Sequence, residues 1–421
     1  MNNTQNEQLN NGTKRTIANR TFTNRTTAKH TLARRAFIKC AAILLIALMI
    51  IPQAGCQKKK DPTPLWDEGY YLDSVCRITL YATDDELKMS VAKPILNEAM
   101  DIIARYERFL SKTKEGSDIW KINHSEGKPV ECDKETVNVL WEAIEYCSMT
   151  NGAFDITIGG VVDLWDFSGV SGIPKVPTSA ELSRALKHVD YRKISIEGNT
   201  VTLLDPQAQI DLGAIAKGFI AEKVGQYLRS RGVTGAVIDF GGNLEIIGYK
   251  AGWVPLNSEV EEKGDVDGDG VQETVGGIAG GKPFIIGIKK PYGEGDEIIG
   301  TLTTANSSVV TSSVCEEYFE ANGKTYHHIL SSKTGYPVNS GLVSVTVVGP
   351  TNTSSTCDAF STICLLLGRD AATEFMAAYP EYGVIFIDTE GEVTTIGPSL
   401  DFKLVDSGED ADLTEEGIKV D

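Results

Sequence analysis

Two hydrophobic periods share this chain, and their interleaving limits the folds open to it. Residues 70–81 contain an alternating, β-branched run of the kind a half-buried strand shows. Residues 91–110 instead place Ile95, Ala99, Ile102, Ile103, Tyr106 and Leu110 at the spacing of one helix face. A second helix is expected over 134–149, with Asp133 as its cap. Further on, 193–196 and 200–204 flank the turn pair Gly198-Asn199, which predicts a hairpin. Crossovers alone would give a doubly wound parallel sheet. The mixture of hairpins and crossovers predicts an α+β fold of mixed sheets with helices, in one large globular body. No repeat of fixed period is visible.

Charge marks where that body begins. The 421 residues hold 40 Lys and Arg against 58 Asp and Glu, a formal charge of −18. Residues 1–60 contain 11 of the bases and one acid, Glu7; subtracting them leaves 29 bases and 57 acids, or −28, in the other 361. Such an acidic body repels phosphate backbones, which excludes nucleic-acid binding through a basic surface. The basic end reads as an export signal. Arg34-Arg35 precedes a twelve-residue apolar run, 40–51, too short to span a bilayer, and Ala54-Gly55-Cys56 places small residues before a cysteine.

Residues 1–55 are therefore expected to be a twin-arginine/lipoprotein signal, and 56–67 a lipidated Cys56 with a linker. Lys58-Lys59-Lys60 would add hold on anionic headgroups. The mature chain is then an exported, membrane-anchored lipoprotein facing the extracytoplasmic side; the alternative is an uncleaved amphipathic anchor. Residues 406–421 are acidic and poor in apolar side chains, so a disordered tail is expected there, which leaves 68–405 as the folded domain. The body's six cysteines form no CxxC pair and are too sparse for a disulfide scaffold.

Several segments carry chemistry. In 210–220, Asp211-Leu212-Gly213-Ala214-Ile215-Ala216-Lys217-Gly218 lies between an expected strand and an expected helix, 220–231. Backbone N–H groups, a positive dipole end and the Lys217 charge suit a phosphate there, although neither a Walker loop nor a GxGxxG spacing is present. Gly241-Gly242-Asn243 permits close approach to a flat ligand, or is simply a turn. Asp358 and Thr362, four apart at the start of an apolar helix, give hard-oxygen geometry suited to Mg²⁺; the plainer reading of Asp358 is a helix cap. Of the neighbours His327 and His328, one is expected to face a site as proton shuttle and the other solvent. Between 258 and 280 an acidic insertion carries Asp265, Asp267 and Asp269 in a DxDxDG pattern. Gly276 stands where a calcium loop would end in Glu, so a Ca²⁺-stabilised surface loop and a merely acidic insertion both stay open.

These blocks, with Gly152-Ala153-Phe154-Asp155-Ile156-Thr157-Ile158-Gly159, Leu164-Trp165 and Thr334-Gly335, occur in the order and spacing of the ApbE family, the FAD:protein FMN transferases, which the chain resembles over 68–385. The resemblance implies an ApbE-like fold. It also implies that Ala153, Phe154, Asp155, Asp211 and Lys217 contact FAD, with Ile329 and, at the position of the family's Met, Leu72. Mg²⁺ would be held by the Ala214 carbonyl, Asp358 and Thr362, aided by Ser361, and the family's catalytic-site His corresponds to His328.

The implied reaction transfers FMN from FAD to a Thr or Ser hydroxyl of an exported or membrane flavoprotein and releases AMP. His328 and Lys217 are its catalytic candidates, and FAD is a substrate. Acceptors would be flavoproteins of extracytoplasmic electron-transfer complexes, of the RNF or sodium-pumping type. The alternatives are an FAD pyrophosphatase giving FMN and AMP, or a non-catalytic flavin-binding lipoprotein.

Overall fold

The computed structural model describes residues 64–81, 88–167, 174–250, 261–264, 273–276, 282–293, 295, 297–398, 400–405 and 417–420. The export signal, Cys56 and the Asp265/Asp267/Asp269 motif lie outside the described residues.

An eight-stranded antiparallel sheet frames the body. Its strands are β1 (Leu65–Tyr71), β2 (Ser74–Leu80), β3 (Gly235–Asp239), β4 (Asn243–Gly248), β5 (Ser307–Ser313), β6 (Leu342–Pro350), β7 (Gly383–Asp388) and β8 (Val393–Ile396). Each pairs with the next along the chain, so the sheet is a meander with excursions. Between β2 and β3 run α1 (Lys93–Leu110), α2 (Asp118–Asn123), α3 (Lys134–Met149), α4 (Gly159–Trp165), α5 (Ser179–Ala185) and α6 (Ala216–Ser230), with a small three-stranded sheet. Between β6 and β7 run α7 (Ser354–Leu367) and α8 (Arg369–Met376).

Strands β4 and β6 are buried almost throughout; β6 reads as a run of apolar and small residues, whereas β4 buries Asn243 and Glu245, the latter hydrogen-bonded to Ser308 and the Asn352 N–H, and β1 exposes every second residue. Helix α1 buries Ile95, Leu96, Ala99, Met100, Ile103, Tyr106 and Leu110, the stripe that its sequence predicts, with Ile102 at its edge. Helix α3 keeps its expected bounds, and Asp133 Oδ1 accepts the Glu135 N–H at 2.9 Å. The hairpin at Gly198-Asn199 forms between Ile194–Glu197 and Thr200–Leu203. None of the six described cysteines forms a disulfide, and all but Cys315 are buried.

The stretch 70–81 contains its expected strand as β2, and just before it Leu72 and Asp73 adopt φ of 50° and 58°, which turns the chain back on itself, with Tyr71 opposite Ser74. Three expectations are corrected. β1 reaches back to Leu65, inside the expected linker, because Trp66, Gly69 and Tyr70 have partners on β2. The helix after Asp211 starts at Ala216 rather than Ile220; before it, the strand Thr200–Leu203 is followed at Gln209 by an isolated bridge with Ile158. The tail is not disordered at its end, since Gly417–Val420 pairs in parallel with Phe284–Lys289, extending a four-stranded sheet through its backbone groups.

Candidate active site

Two helix N-termini meet where the blocks converge. Because α6 starts at Ala216, Lys217 and Gly218 occupy its first turn. α7 passes so close that a β-carbon on Gly218 would lie 2.6 Å from the Ser354 carbonyl carbon and 2.7 Å from Ser355 Cα. Glycine is what lets the two backbones touch. Across the contact, Gly218 N–H donates to Asp358 Oδ2 at 3.0 Å. α6 has no side-chain cap at Ile215. A carboxylate from the neighbouring helix therefore does for α6 what an N-cap residue usually does, so Asp358 does cap a helix, though not its own.

Asp358 is 4% exposed. Burial pushes its pKa up to about 6, against the pull of the Lys217 ammonium, the Gly218 N–H and the Asn243 side chain. Asn243 Nδ2 closes no hydrogen bond of normal geometry, so it acts on Asp358 as a nearby amide dipole. One turn on, Ser312 Oγ of β5 lies 2.7 Å from Ser361 Oγ and 3.0 Å from Thr362 Oγ1. Ser361 Oγ also donates to the Asp358 carbonyl at 2.9 Å.

This donor set fits Mg²⁺. One carboxylate with Ser and Thr hydroxyls one turn on are hard oxygens, and the desolvated Asp358 carboxylate is under-compensated in a way that a cation relieves; Ala214 is half-buried in the turn just before α6. Among the described residues no group of three or more His, Cys, Asp or Glu side chains could hold a metal. An ion here would complete its shell with water or substrate oxygens.

His328 stands just past the strand Lys324–His327. Its backbone N–H donates to the Glu317 carbonyl at 3.0 Å, and its Nδ1 lies 3.2 Å from the same oxygen. A carbonyl only accepts, so Nδ1 carries the proton and Nε2 presents a lone pair. Burial holds the His328 pKa down at about 4; the Glu317 carbonyl and Asp211 oppose this, and Lys217 reinforces it. The ring is neutral at physiological pH. His327 does not face solvent as expected. Its Nε2 donates to the Val338 carbonyl at 3.0 Å, because the segment 329–338 folds back against it, and burial lowers its pKa to about 4 as well.

Asp211 caps its own turn, accepting the Gly213 N–H at 2.8 Å, and pairs with Lys112 at 2.8 Å. Lys112 also reaches Asp163 at 2.8 Å. Burial alone would raise the Asp211 pKa, but Lys112, the Gly213 N–H and His328 together hold it below the usual carboxylate value. Lys217 acts electrostatically on Asp358, His328 and Glu317. Asp211, Lys217, His328 and Asp358 thus share one site.

The residues expected at the flavin are placed less directly. Asp155 spends its carboxylate on the chain, accepting from Thr157 N–H at 2.9 Å, Thr157 Oγ1 at 2.6 Å and Tyr191 N–H at 3.1 Å. Phe154 and Ile329 are core residues, 4% and 7% exposed. Ser332 Oγ donates to the Gly152 carbonyl at 2.6 Å and contacts that of Ala153 at 3.2 Å, tying this turn to the loop after His328. Leu72 sits in the β1–β2 turn and donates its N–H to Glu107 Oε1 at 3.2 Å. What the 152–155 turn offers a ligand is chiefly backbone.

Lys112, Ser312 and Glu317 complete the site without having been singled out from sequence. Ser312 alone carried a signal, a hydroxyl-rich strand that is nonetheless buried.

With this geometry in place, comparison with known proteins is specific. A model of the ApbE family matches residues 72–262 and 255–386. An FAD:protein FMN transferase from Klebsiella pneumoniae is 30% identical over 337 residues, covering 79% of this chain and 92% of its own length. One from Treponema pallidum is 29% identical over 324 residues, covering 75% and 82%. Among solved structures, the ApbE protein from Thermotoga maritima superposes with a TM-score of 0.64 at 27% identity, over 79% of this chain and 96% of that one. The flavin transferase ApbE from Vibrio cholerae does so with a TM-score of 0.59 at 23% identity, over 79% and 97%, and supports the fold alone. The chain belongs to the ApbE family.

Proposed function

We propose that the chain is an FAD:protein FMN transferase that requires Mg²⁺ and modifies a Thr or Ser hydroxyl. The observation that carries this reading is a buried carboxylate, Asp358, bonded across two abutting helix N-termini, with the Lys217 cation in the same first turn and the neutral His328 imidazole within electrostatic reach of Lys217. That is the equipment for phosphoryl transfer, which asks for positioning and charge neutralisation more than for covalent chemistry.

The acceptor hydroxyl attacks the FMN-side phosphorus of FAD. The new P–O bond forms as the bond to the AMP oxygen breaks, and AMP leaves with that electron pair. Nε2 of His328 takes the hydroxyl proton. Lys217, at the positive end of α6, binds the diphosphate oxygens. Asp358, Ser361, Thr362 and the Ala214 carbonyl would hold Mg²⁺, which when bound neutralises charge on the diphosphate. In a body of −28, local cations at this point are a requirement for binding an anionic dinucleotide.

Export through the twin-arginine pattern and a lipid on Cys56 would place this reaction at the extracytoplasmic membrane surface, where the acceptors are flavoproteins of electron-transfer complexes. Incubating the chain with FAD, Mg²⁺ and candidate acceptors, followed by mass spectrometry, is expected to show acceptor carrying covalent FMN and one AMP per transfer. AMP without covalent flavin would replace transfer by pyrophosphatase activity, and intact FAD would leave only a binding protein.

His328→Asn is expected to lower transfer by at least about a hundredfold, the usual loss on removing a general base. Since the neutral ring is the active form, protonation of His328 should cost activity only toward about 4, whereas Asp358, held at about 6 without metal, is expected to impose a fall near 6 that moves to lower pH as Mg²⁺ is raised. Near-normal transfer by the variant removes His328 from the mechanism.

A further inference from the structure

Helices α6 and α7 exchange two carboxyl side chains. Asp358 accepts the Gly218 N–H at 3.0 Å, and Glu222, one turn after Gly218, accepts the Ser355 N–H through Oε1 at 2.7 Å. Each helix caps the first turn of the other, and neither has a side-chain cap of its own, at Ile215 or at Thr353. Spacings of four and three keep each carboxylate on the same face as its own helix's donor. Two such bonds fix the rotation of α7 about its axis as well as its distance from α6.

A third helix backs the pair. Glu142 of α3 accepts from the hydroxyls of Ser355 and Tyr146, the latter at 3.0 Å, and Tyr146 also bonds Thr356 Oγ1 at 2.9 Å. Burial pushes the Glu222 pKa up to about 8; the Ser355 N–H opposes this, and Glu142 and Glu245 add like charge. A buried carboxyl is a costly way merely to satisfy one N–H, which a local Ser or Asn does at no such cost. What the long Glu222 side chain adds is a tie between helices, and α7 is the helix that carries Asp358, Ser361 and Thr362.

We propose that Glu222 is a positioning residue for the cation site: through Ser355 it sets the rotation of α7 that brings Asp358, Ser361 and Thr362 to bear on one point. The inference rests on Asp358 as a Mg²⁺ ligand. Residues that orient ligands typically change metal affinity by 10–100-fold when lost.

The test is a Mg²⁺ titration of the full-length chain with FAD present, read both as thermal stabilisation and as transfer. Glu222→Ala is expected to need at least about tenfold more Mg²⁺ at both midpoints, with kcat at saturating Mg²⁺ within about threefold of wild type. Glu222→Gln keeps the Oε1 acceptor and is expected to match wild type. Glu222→Asp, shorter by one methylene, is expected to fall between the two and serves should the alanine variant not fold.

An unchanged midpoint in the alanine or aspartate variant overturns the proposal, as does a glutamine variant as impaired as alanine. So does a loss confined to kcat. Wild type showing no Mg²⁺ midpoint by either readout overturns the metal reading itself; wild-type Mg²⁺ dependence with an unaffected alanine variant overturns only the positioning role.

Discussion

Asp358→Asn is expected to abolish flavin transfer, by on the order of a thousandfold, while leaving the metal-free chain no less stable than wild type. The two effects separate because Asp358 has two jobs. As a cap it needs only an acceptor oxygen for the Gly218 N–H at 3.0 Å, and asparagine supplies one in the same place. As a cation ligand it needs its charge, which asparagine lacks. The charge is what the fold tolerates poorly, since burial raises the pKa of this carboxyl to about 6 even beside Lys217. Removing it takes away a desolvation cost without breaking the helix contact.

Asp358→Ala is the contrasting variant. It loses both jobs and strands the Gly218 N–H in a buried contact, for a cost of roughly 1–3 kcal/mol. Melting curves with and without Mg²⁺, alongside in-gel fluorescence of a flavinylated acceptor, give the comparison. Wild-type transfer by the asparagine variant would remove Asp358 from the metal site. A melting temperature for asparagine as low as for alanine would show that the carboxylate charge, not the acceptor, holds the helices together.

How much of this could be read from residues alone depends on whether a feature is local. α3 is legible to the residue because its cap, Asp133, is adjacent in sequence to the turn that it satisfies. The α1 stripe is legible for the same reason, period and burial being two views of one face. The β1–β2 turn is not, since Leu72 takes a left-handed conformation that its residue type disfavours, and Asp73, which tolerates one, is not followed by the glycine that usually marks such a turn. The strand Gly417–Val420 is hidden by its acidic approach, although Ile418 and Val420 suit a strand.

In the site, Asp211, Lys217, His328 and Asp358 are legible through ordered blocks that resemble a family. Lys112 is not, because its role exists only where the loop after α1 meets Asp163 and Asp211. Glu317 cannot be, because it holds His328 with a backbone carbonyl that any residue would provide. Phe154 and Asp155 show the converse limit. A motif marks residues that the site depends on, and here their side chains build the turn rather than line it.

Gly218→Ala is expected to destabilise the chain by roughly 2 kcal/mol and to lower transfer by at least about a hundredfold. Helix propensity argues the other way, since alanine improves on glycine by about 1 kcal/mol in a helix. Sterics decide. A β-carbon at Gly218 would sit 2.6 and 2.7 Å from backbone atoms of Ser354 and Ser355, and backbone cannot swing aside as a flexible side chain can. α7 must move away from α6, which stretches the Gly218–Asp358 and Ser355–Glu222 bonds together and displaces the ligands that α7 carries. Gly160→Ala provides the control: there the nearest atoms to a β-carbon are 3.7 and 3.9 Å away on the Gln209 side chain, so the same substitution should be neutral or slightly stabilising. Equal melting temperatures and transfer rates for the two variants would mean that the α6–α7 contact is loose, and the site could then not depend on its closeness.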